Sequence, residues 1–275
     1  MENELIILPF DHRSSFIKDI LNVEKLNSIQ EEKIKELKDI IFESFMSFVS
    51  TQEDKNSFGI LVDERFGEKI IEQAKNTKTI LVIPVEKSGQ NELDFEYGKE
   101  FRQHIKEINP DFVKVLIKYD ADKNNTAQLK KLYELSQFCE KNDYKLILEL
   151  LIPSKEKRLE KTIIAIREIK NFVKVNIWKM EGYQREEWLE IIKLMNSKEK
   201  IIVLGRGEDK DLVEKWLKQA SSINNIIGFA IGRTIFLEPL KEYYQNKLSK
   251  EETIKKIKNN FEYFVNIWRK EKLGV

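Results

Sequence analysis

The chain has 275 residues, 41% hydrophobic and 35% charged, enough for one large domain such as a (β/α)8 barrel or for two small ones. Its 48 lysines and arginines nearly cancel 47 aspartates and glutamates, which argues against nucleic acid or an anionic membrane as the main partner. One cysteine (Cys139) and two histidines (His12, His104) exclude an internal disulfide and the several His or Cys ligands of a zinc site. No metal and no cofactor is therefore expected, and any chemistry falls to Lys, Arg, Asp and Glu.

No apolar run approaches the roughly 18 residues of a membrane helix, and the N-terminus lacks the basic-then-apolar layout of a signal peptide. The lone cysteine suits a reducing cytoplasm, the expected location. Strand-like apolar runs recur along the chain, each followed by an amphipathic stretch. Leu5 to Phe10 ends in Asp11-His12-Arg13 and precedes a long helix from about Gln30 to Val49. Gly59 to Val62 ends in Asp63-Glu64, with a helix from Glu68 to Lys75. Thr79 to Val85 ends in Glu86-Lys87-Ser88-Gly89, with a helix around Tyr97 to Ile108. Phe112 to Ile117 leads through Lys118-Tyr119-Asp120 to a helix from Thr126 to Lys141. Lys145 to Ile152 contains Glu149 and is followed by a helix from about Lys155 to Ile169.

The sixth run, Val173 to Glu181, puts Val173, Val175, Ile177, Lys179 and Glu181 on one face and Lys174, Asn176 and Trp178 on the other. A helix from Arg185 to Met195 follows. Lys200 to Leu204 ends in Gly205-Arg206-Gly207, with a helix from Lys210 to Ala220, and Ile226 to Ile231 ends in Gly232-Arg233. Ser249 to Glu252 reads as a capping box opening a terminal helix with Ile254, Ile257, Phe261, Phe264, Val265 and Trp268 on its core face. Eight continuously apolar strands with intervening helices predict a single (β/α)8 barrel over residues 1–275.

Polar groups collect at the carboxyl ends of these strands, where barrels build their active sites. They are Asp11, Arg13, Asp63, Glu86, Lys118, Glu149, Lys179, Glu181, Arg206 and Arg233. Any one alone is more often a solvated strand end or a structural ion pair; a set on every strand describes a catalytic face. Arg13, Asp63, Glu86 and Glu181 are candidate substrate contacts. Lys114 lies inside the fourth strand, where an amine needs a partner, and Glu149 on the next strand is placed to provide one. A lysine held beside another cation is more readily deprotonated and nucleophilic; Lys179 and Lys114 are candidates for such a pair. Gly205, Arg206 and Gly207, with Gly232 and Arg233, follow strands seven and eight, where barrels commonly hold a phosphate.

The stretches Leu8-Pro9-Phe10-Asp11-His12-Arg13, Glu86-Lys87-Ser88-Gly89, Val113-Lys114-Val115-Leu116, Leu148-Glu149-Leu150, Trp178-Lys179-Met180-Glu181, Val203-Leu204-Gly205-Arg206-Gly207 and Gly228 to Phe236 span nearly the whole chain. On these the chain resembles the class I aldolases related to tagatose-1,6-bisphosphate aldolase. It is most similar to the aldolase-like domain fused to bacterial 5-dehydro-2-deoxygluconokinases of inositol catabolism. The resemblance implies that Lys179 forms a Schiff base with a phosphorylated keto sugar and that Glu149 and Lys114 relay protons. It further implies that Asp11 and Arg13 bind substrate oxygens and that Arg233 holds a phosphate. The implied substrate is 2-deoxy-5-keto-gluconate 6-phosphate, cleaved to dihydroxyacetone phosphate and malonate semialdehyde. Gly182, where the kinase-fused domains tend to have proline, and Lys118, where the tagatose-bisphosphate enzymes tend to have an aromatic, bear on the substrate more than on the mechanism. A sugar-phosphate isomerase or epimerase, or a non-catalytic sugar-phosphate-binding barrel, remains the alternative. Homo-oligomerisation is left open by the sequence.

Overall fold

The computed structural model describes residues 4–77 and 79–274. Eight parallel strands close into one barrel in sequence order: β1 (Leu5–Pro9), β2 (Phe58–Leu61), β3 (Ile80–Pro84), β4 (Phe112–Lys118), β5 (Lys145–Leu151), β6 (Ile177–Met180), β7 (Lys200–Leu204) and β8 (Ile226–Ala230). The helices are α1 (Ser14–Leu21), α2 (Ser28–Val49), α3 (Glu64–Lys75), α4 (Phe101–Ile108), α5 (Thr126–Lys141), α6 (Arg158–Lys170), α7 (Arg185–Ile192), α8 (Lys210–Ser221), α9 (Arg233–Tyr244) and α10 (Lys250–Leu273). Among the described residues, no helix is long and apolar enough to cross a membrane.

Two apolar zones hold this together. The inner one fills the amino-terminal end of the barrel with Leu5, Ile7, Leu61, Val82, Ile147, Ile177 and Ile202. The outer one lies between strands and helices and takes the opposite faces of the same strands, including Leu148 and Trp178. That division is the period-2 alternation of a closed sheet. The terminal helix α10 packs on α2, α8 and α9, burying Phe261, Phe264 and Trp268. The expected capping box is present, with the Ser249 hydroxyl and the Glu252 carboxylate each accepting from the other's backbone N–H.

Helix α7 ends at Ile192 instead of Met195 and α4 begins at Phe101 instead of near Tyr97, and further differences fall at β6, α3 and α9. The sixth strand begins at Ile177 rather than Val173. The backbone of Lys174 is drawn to α5 instead, where its N–H donates to the Ser136 hydroxyl and its carbonyl accepts from it. The Asn176 side chain then accepts from Leu146 N–H at 2.7 Å and starts the ladder. Helix α3 begins four residues early because the Asp63 carboxylate accepts from Phe66 N–H at 3.1 Å and caps it. Helix α9 carries an internal proline, Pro239, and the sequence reading assigned no helix there.

Candidate active site

On three adjacent strands the inward-facing residues change character two steps along. On β5 the barrel interior passes from Ile147 to Glu149, on β6 from Ile177 to Lys179, and on β4 from Phe112 to Lys114. The register sets Glu149 directly beside Lys179. Asp11 and Glu86 arrive from the ends of β1 and β3. All five charged groups are at most 7% exposed.

Lys114 is the hub. Its ammonium lies 3.0 Å from an Asp11 oxygen, 2.6 Å from Glu86 and 3.0 Å from Glu149. Glu149 Oε2 accepts also from Lys179 Nζ at 2.8 Å, so two amines share one oxygen. Burial works against the Lys114 ammonium, but Asp11, Glu149 and Glu86 together hold its proton affinity well above the usual lysine value. Burial likewise pushes Asp11 and Glu149 up, and the lysine charges outweigh it, leaving both carboxyls below their usual range. Glu86 goes the other way: burial, helped by Asp11, prevails over Lys114 and raises it. Lys114 is thus a permanent cation, with Glu149 an ionised acceptor between two amines.

These groups floor a cavity of about 270 Å³. Its wall on the β7–β8 side contains Gly205, Arg206, Gly207, Gly232 and Arg233. Arg233 Nη2 donates to the Arg206 carbonyl at 2.6 Å. A Cβ on Gly207, whose φ is +81°, would fall 2.8 Å from the Arg233 guanidinium carbon. Glycine there lets the guanidinium lie flat on the loop, a cationic wall beside backbone amides. The opposite rim carries Ser14, Lys87, Ser88, Asn91 and Lys118.

The structure brings Asp11, Arg13, Glu86, Lys114, Glu149, Lys179 and the glycine–arginine loops to one cavity. It does not bring Asp63 or Glu181 there, so the expectation that these two meet substrate is corrected. Asp63 caps α3 and pairs with the fully buried Lys38 of α2. Glu181 is turned outward past the end of β6, to Arg206 and to Arg158 at 3.5 Å. Arg13 lines the cavity, yet its terminal nitrogens already donate to Glu96 at 2.8 Å and to the Glu86 carbonyl at 2.7 Å. It braces the segment after β3.

Of the cavity residues outside the sequence expectation, one is a histidine. His12 lines the site, and its buried Nδ1 has no hydrogen-bond partner. Strict alternation would turn it from the barrel axis, but β1 ends at Pro9, so alternation no longer governs residue 12. The available signal was its place between Asp11 and Arg13 in a chain with only two histidines.

Fold and site define a (β/α)8 barrel with an amine–carboxylate cluster and an arginine–glycine wall at the carboxyl end of its strands. The chain belongs to the family described as uncharacterized proteins conserved in bacteria (DUF2090), whose model matches residues 1–272. No curated protein matches it in sequence. Among solved structures it is similar to fructose-bisphosphate aldolase from Plasmodium falciparum, with TM-score 0.70 and 14% identity over 95% of this chain and 89% of that one. It is also similar to the Corynebacterium glutamicum protein Cgl0159, with TM-score 0.64 and 12% identity over 95% and 86%. At such identities the likeness is one of fold, the (β/α)8 barrel.

Proposed function

We propose that this protein is a class I aldolase that cleaves or forms a carbon–carbon bond in a phosphorylated keto sugar through an imine on Lys179. The observation that carries this is the Lys179 amine, buried on the cavity floor and sharing one Glu149 oxygen with the cation Lys114. A binding module gains nothing from that costly arrangement.

Glu149, 2.8 Å away, accepts the proton that Lys179 must shed before attacking the ketone carbon. The protonated Glu149 then returns it to the carbinolamine oxygen, which leaves as water, and an iminium forms. Removal of the proton from the hydroxyl two carbons away breaks the carbon–carbon bond, and its electrons reach the iminium nitrogen as an enamine. The aldehyde departs. Protonation of the enamine carbon through Glu149, followed by water addition, releases the ketone and restores Lys179. Arg233 and the 205–207 loop would hold the phosphate. From the family resemblance, 2-deoxy-5-keto-gluconate 6-phosphate is the first substrate to try, with dihydroxyacetone phosphate and malonate semialdehyde as products.

Borohydride added during turnover of phosphorylated keto sugars is expected to add substrate mass to the peptide carrying Lys179, and Lys179→Met should lose both adduct and turnover while staying folded. An adduct on Lys114 would reverse the assigned roles. Turnover with no adduct would leave proton-transfer isomerisation on the same carboxylates as the surviving reading.

A further inference from the structure

The imine cycle needs one more proton acceptor than the cluster can readily offer. The hydroxyl at the bond being broken must lose its proton as the bond breaks. Asp11, Glu86 and Glu149 each direct an oxygen to the Lys114 ammonium. The second Glu86 oxygen takes the Leu116 N–H at 3.2 Å, and Glu149 already serves the imine nitrogen. Asp11, held ionised by the adjacent cation, gains little by accepting a proton, and both Glu86 oxygens are already engaged.

His12 is differently placed. Its Nδ1 is buried without a partner, 3.9 Å from the Asp11 oxygen that does not touch Lys114. A quarter of its side chain is exposed and the residue lines the cavity, with Nδ1 the covered nitrogen. Phe236 of α9 packs against the ring edge-on, with centroids 6.4 Å apart. The charges facing the imidazole are Asp11 from the same segment, Arg233 from α9, Lys179 from β6 and Glu149 from β5.

We propose that His12 is the group that takes the hydroxyl proton during cleavage and gives it back to the aldehyde oxygen during condensation. This rests on the aldolase reading above. In the cleavage direction the O–H bond breaks and its proton passes to Nε2. The carbon–carbon electrons move to the iminium nitrogen, and the imidazolium later discharges its proton to water at the cavity mouth. Two features favour the transfer. The Asp11 carboxylate, 3.9 Å from Nδ1, stabilises the imidazolium by its charge. The positive charge on the Lys179 nitrogen, one of the cations facing the ring, vanishes in the same step, so the acceptor strengthens as the proton arrives. Burial, with Arg233 and Lys179, lowers the resting imidazole to about 4, so at neutral pH it is neutral and ready to accept.

The role can be separated from imine formation with dihydroxyacetone phosphate alone. Exchange of its carbon-bound proton with deuterium oxide, followed by NMR, requires Lys179 and Glu149 but no hydroxyl proton transfer. Condensation with malonate semialdehyde or glyceraldehyde 3-phosphate requires both. His12→Gln, which keeps a hydrogen-bonding group but carries no proton, should retain exchange and borohydride trapping within about threefold and lose condensation by about a hundredfold or more. A His12→Gln protein that condenses at the native rate, or that loses exchange and condensation in parallel, overturns the assignment to His12 alone. A native protein that neither traps nor exchanges, or that exchanges but condenses with neither aldehyde, overturns the aldolase reading and this role with it.

Discussion

The two halves of the barrel interior are built on the same strands with opposite contents. The amino-terminal half is a layer of Leu5, Ile7, Leu61, Val82, Ile147, Ile177 and Ile202. The carboxyl-terminal half, reached by moving two residues along a strand, holds Lys114, Glu149 and Lys179, with Asp11 and Glu86 arriving just beyond β1 and β3. Both halves are buried, so burial alone does not distinguish a stabilising layer from a chemical one. The lower layer removes apolar surface from water and gains free energy by doing so. The upper one desolvates five ionisable groups and recovers that cost only through the contacts around Lys114.

Removing that hub should separate the two layers most strongly. Lys114→Met leaves three buried carboxylates without their shared ammonium and is expected to destabilise the protein by about 3–5 kcal/mol, as when one partner of a buried ion pair is deleted. Ile147→Val, on the neighbouring strand in the lower layer, should cost only about 0.5–1.5 kcal/mol and leave turnover unchanged. Urea denaturation of both variants measures this. Equal costs would mean that the charged floor is held as passively as the apolar one.

The next effect belongs to ligand rather than fold. Arg233→Ala should weaken phosphorylated ligands by about 2–4 kcal/mol and leave unphosphorylated analogues unaffected, as read by calorimetric titration with dihydroxyacetone phosphate and dihydroxyacetone. An equal loss for both would make Arg233 a brace for the 205–207 loop, through its bond to the Arg206 carbonyl.

Inside the strands, the division of the barrel was legible in the sequence. Ladder register and alternation carry Glu149 and Lys179 to one face, side by side, and the expected pairing of Lys114 with Glu149 is present at 3.0 Å. Beyond the strand ends the same logic fails, because nothing in a period of two constrains a residue that has left the ladder. Asp63, two residues past β2, became a helix cap, and Glu181, one residue past β6, turned to two arginines. Arg13 and His12 sit past β1, and their sequence positions reveal neither the Glu96 partner of the first nor the partnerless Nδ1 of the second. Contacts between loops far apart in sequence decide such residues.

The smallest expected effect tests whether the chemical half answers to pH through His12. In an unfolded chain this imidazole takes up its proton near its ordinary value of 6.5, whereas in the folded cavity it does so only at about 4, burial being the largest cause. Between those values the unfolded state binds more protons, so stability rises with pH across the window and is lost as pH falls. The expected contribution is about 2 kcal/mol between pH 7 and pH 5. Glu86 acts with the opposite sign, because its raised value lets the folded state keep a proton above 4.5 that the unfolded state has released. Asp11 and Glu149, both lowered, lose their stabilisation only at more acid pH, as it falls below their ordinary 3.8 and 4.5. The quantity to measure is therefore the difference between native protein and His12→Gln, in which the carboxylate contributions largely cancel. Urea midpoints at pH 7 and pH 5 should show the native protein losing about 2 kcal/mol more than the variant. Parallel losses would place the imidazole in an environment that does not distinguish its charged form. They would also remove the electrostatic contrast between the two halves of the barrel at His12.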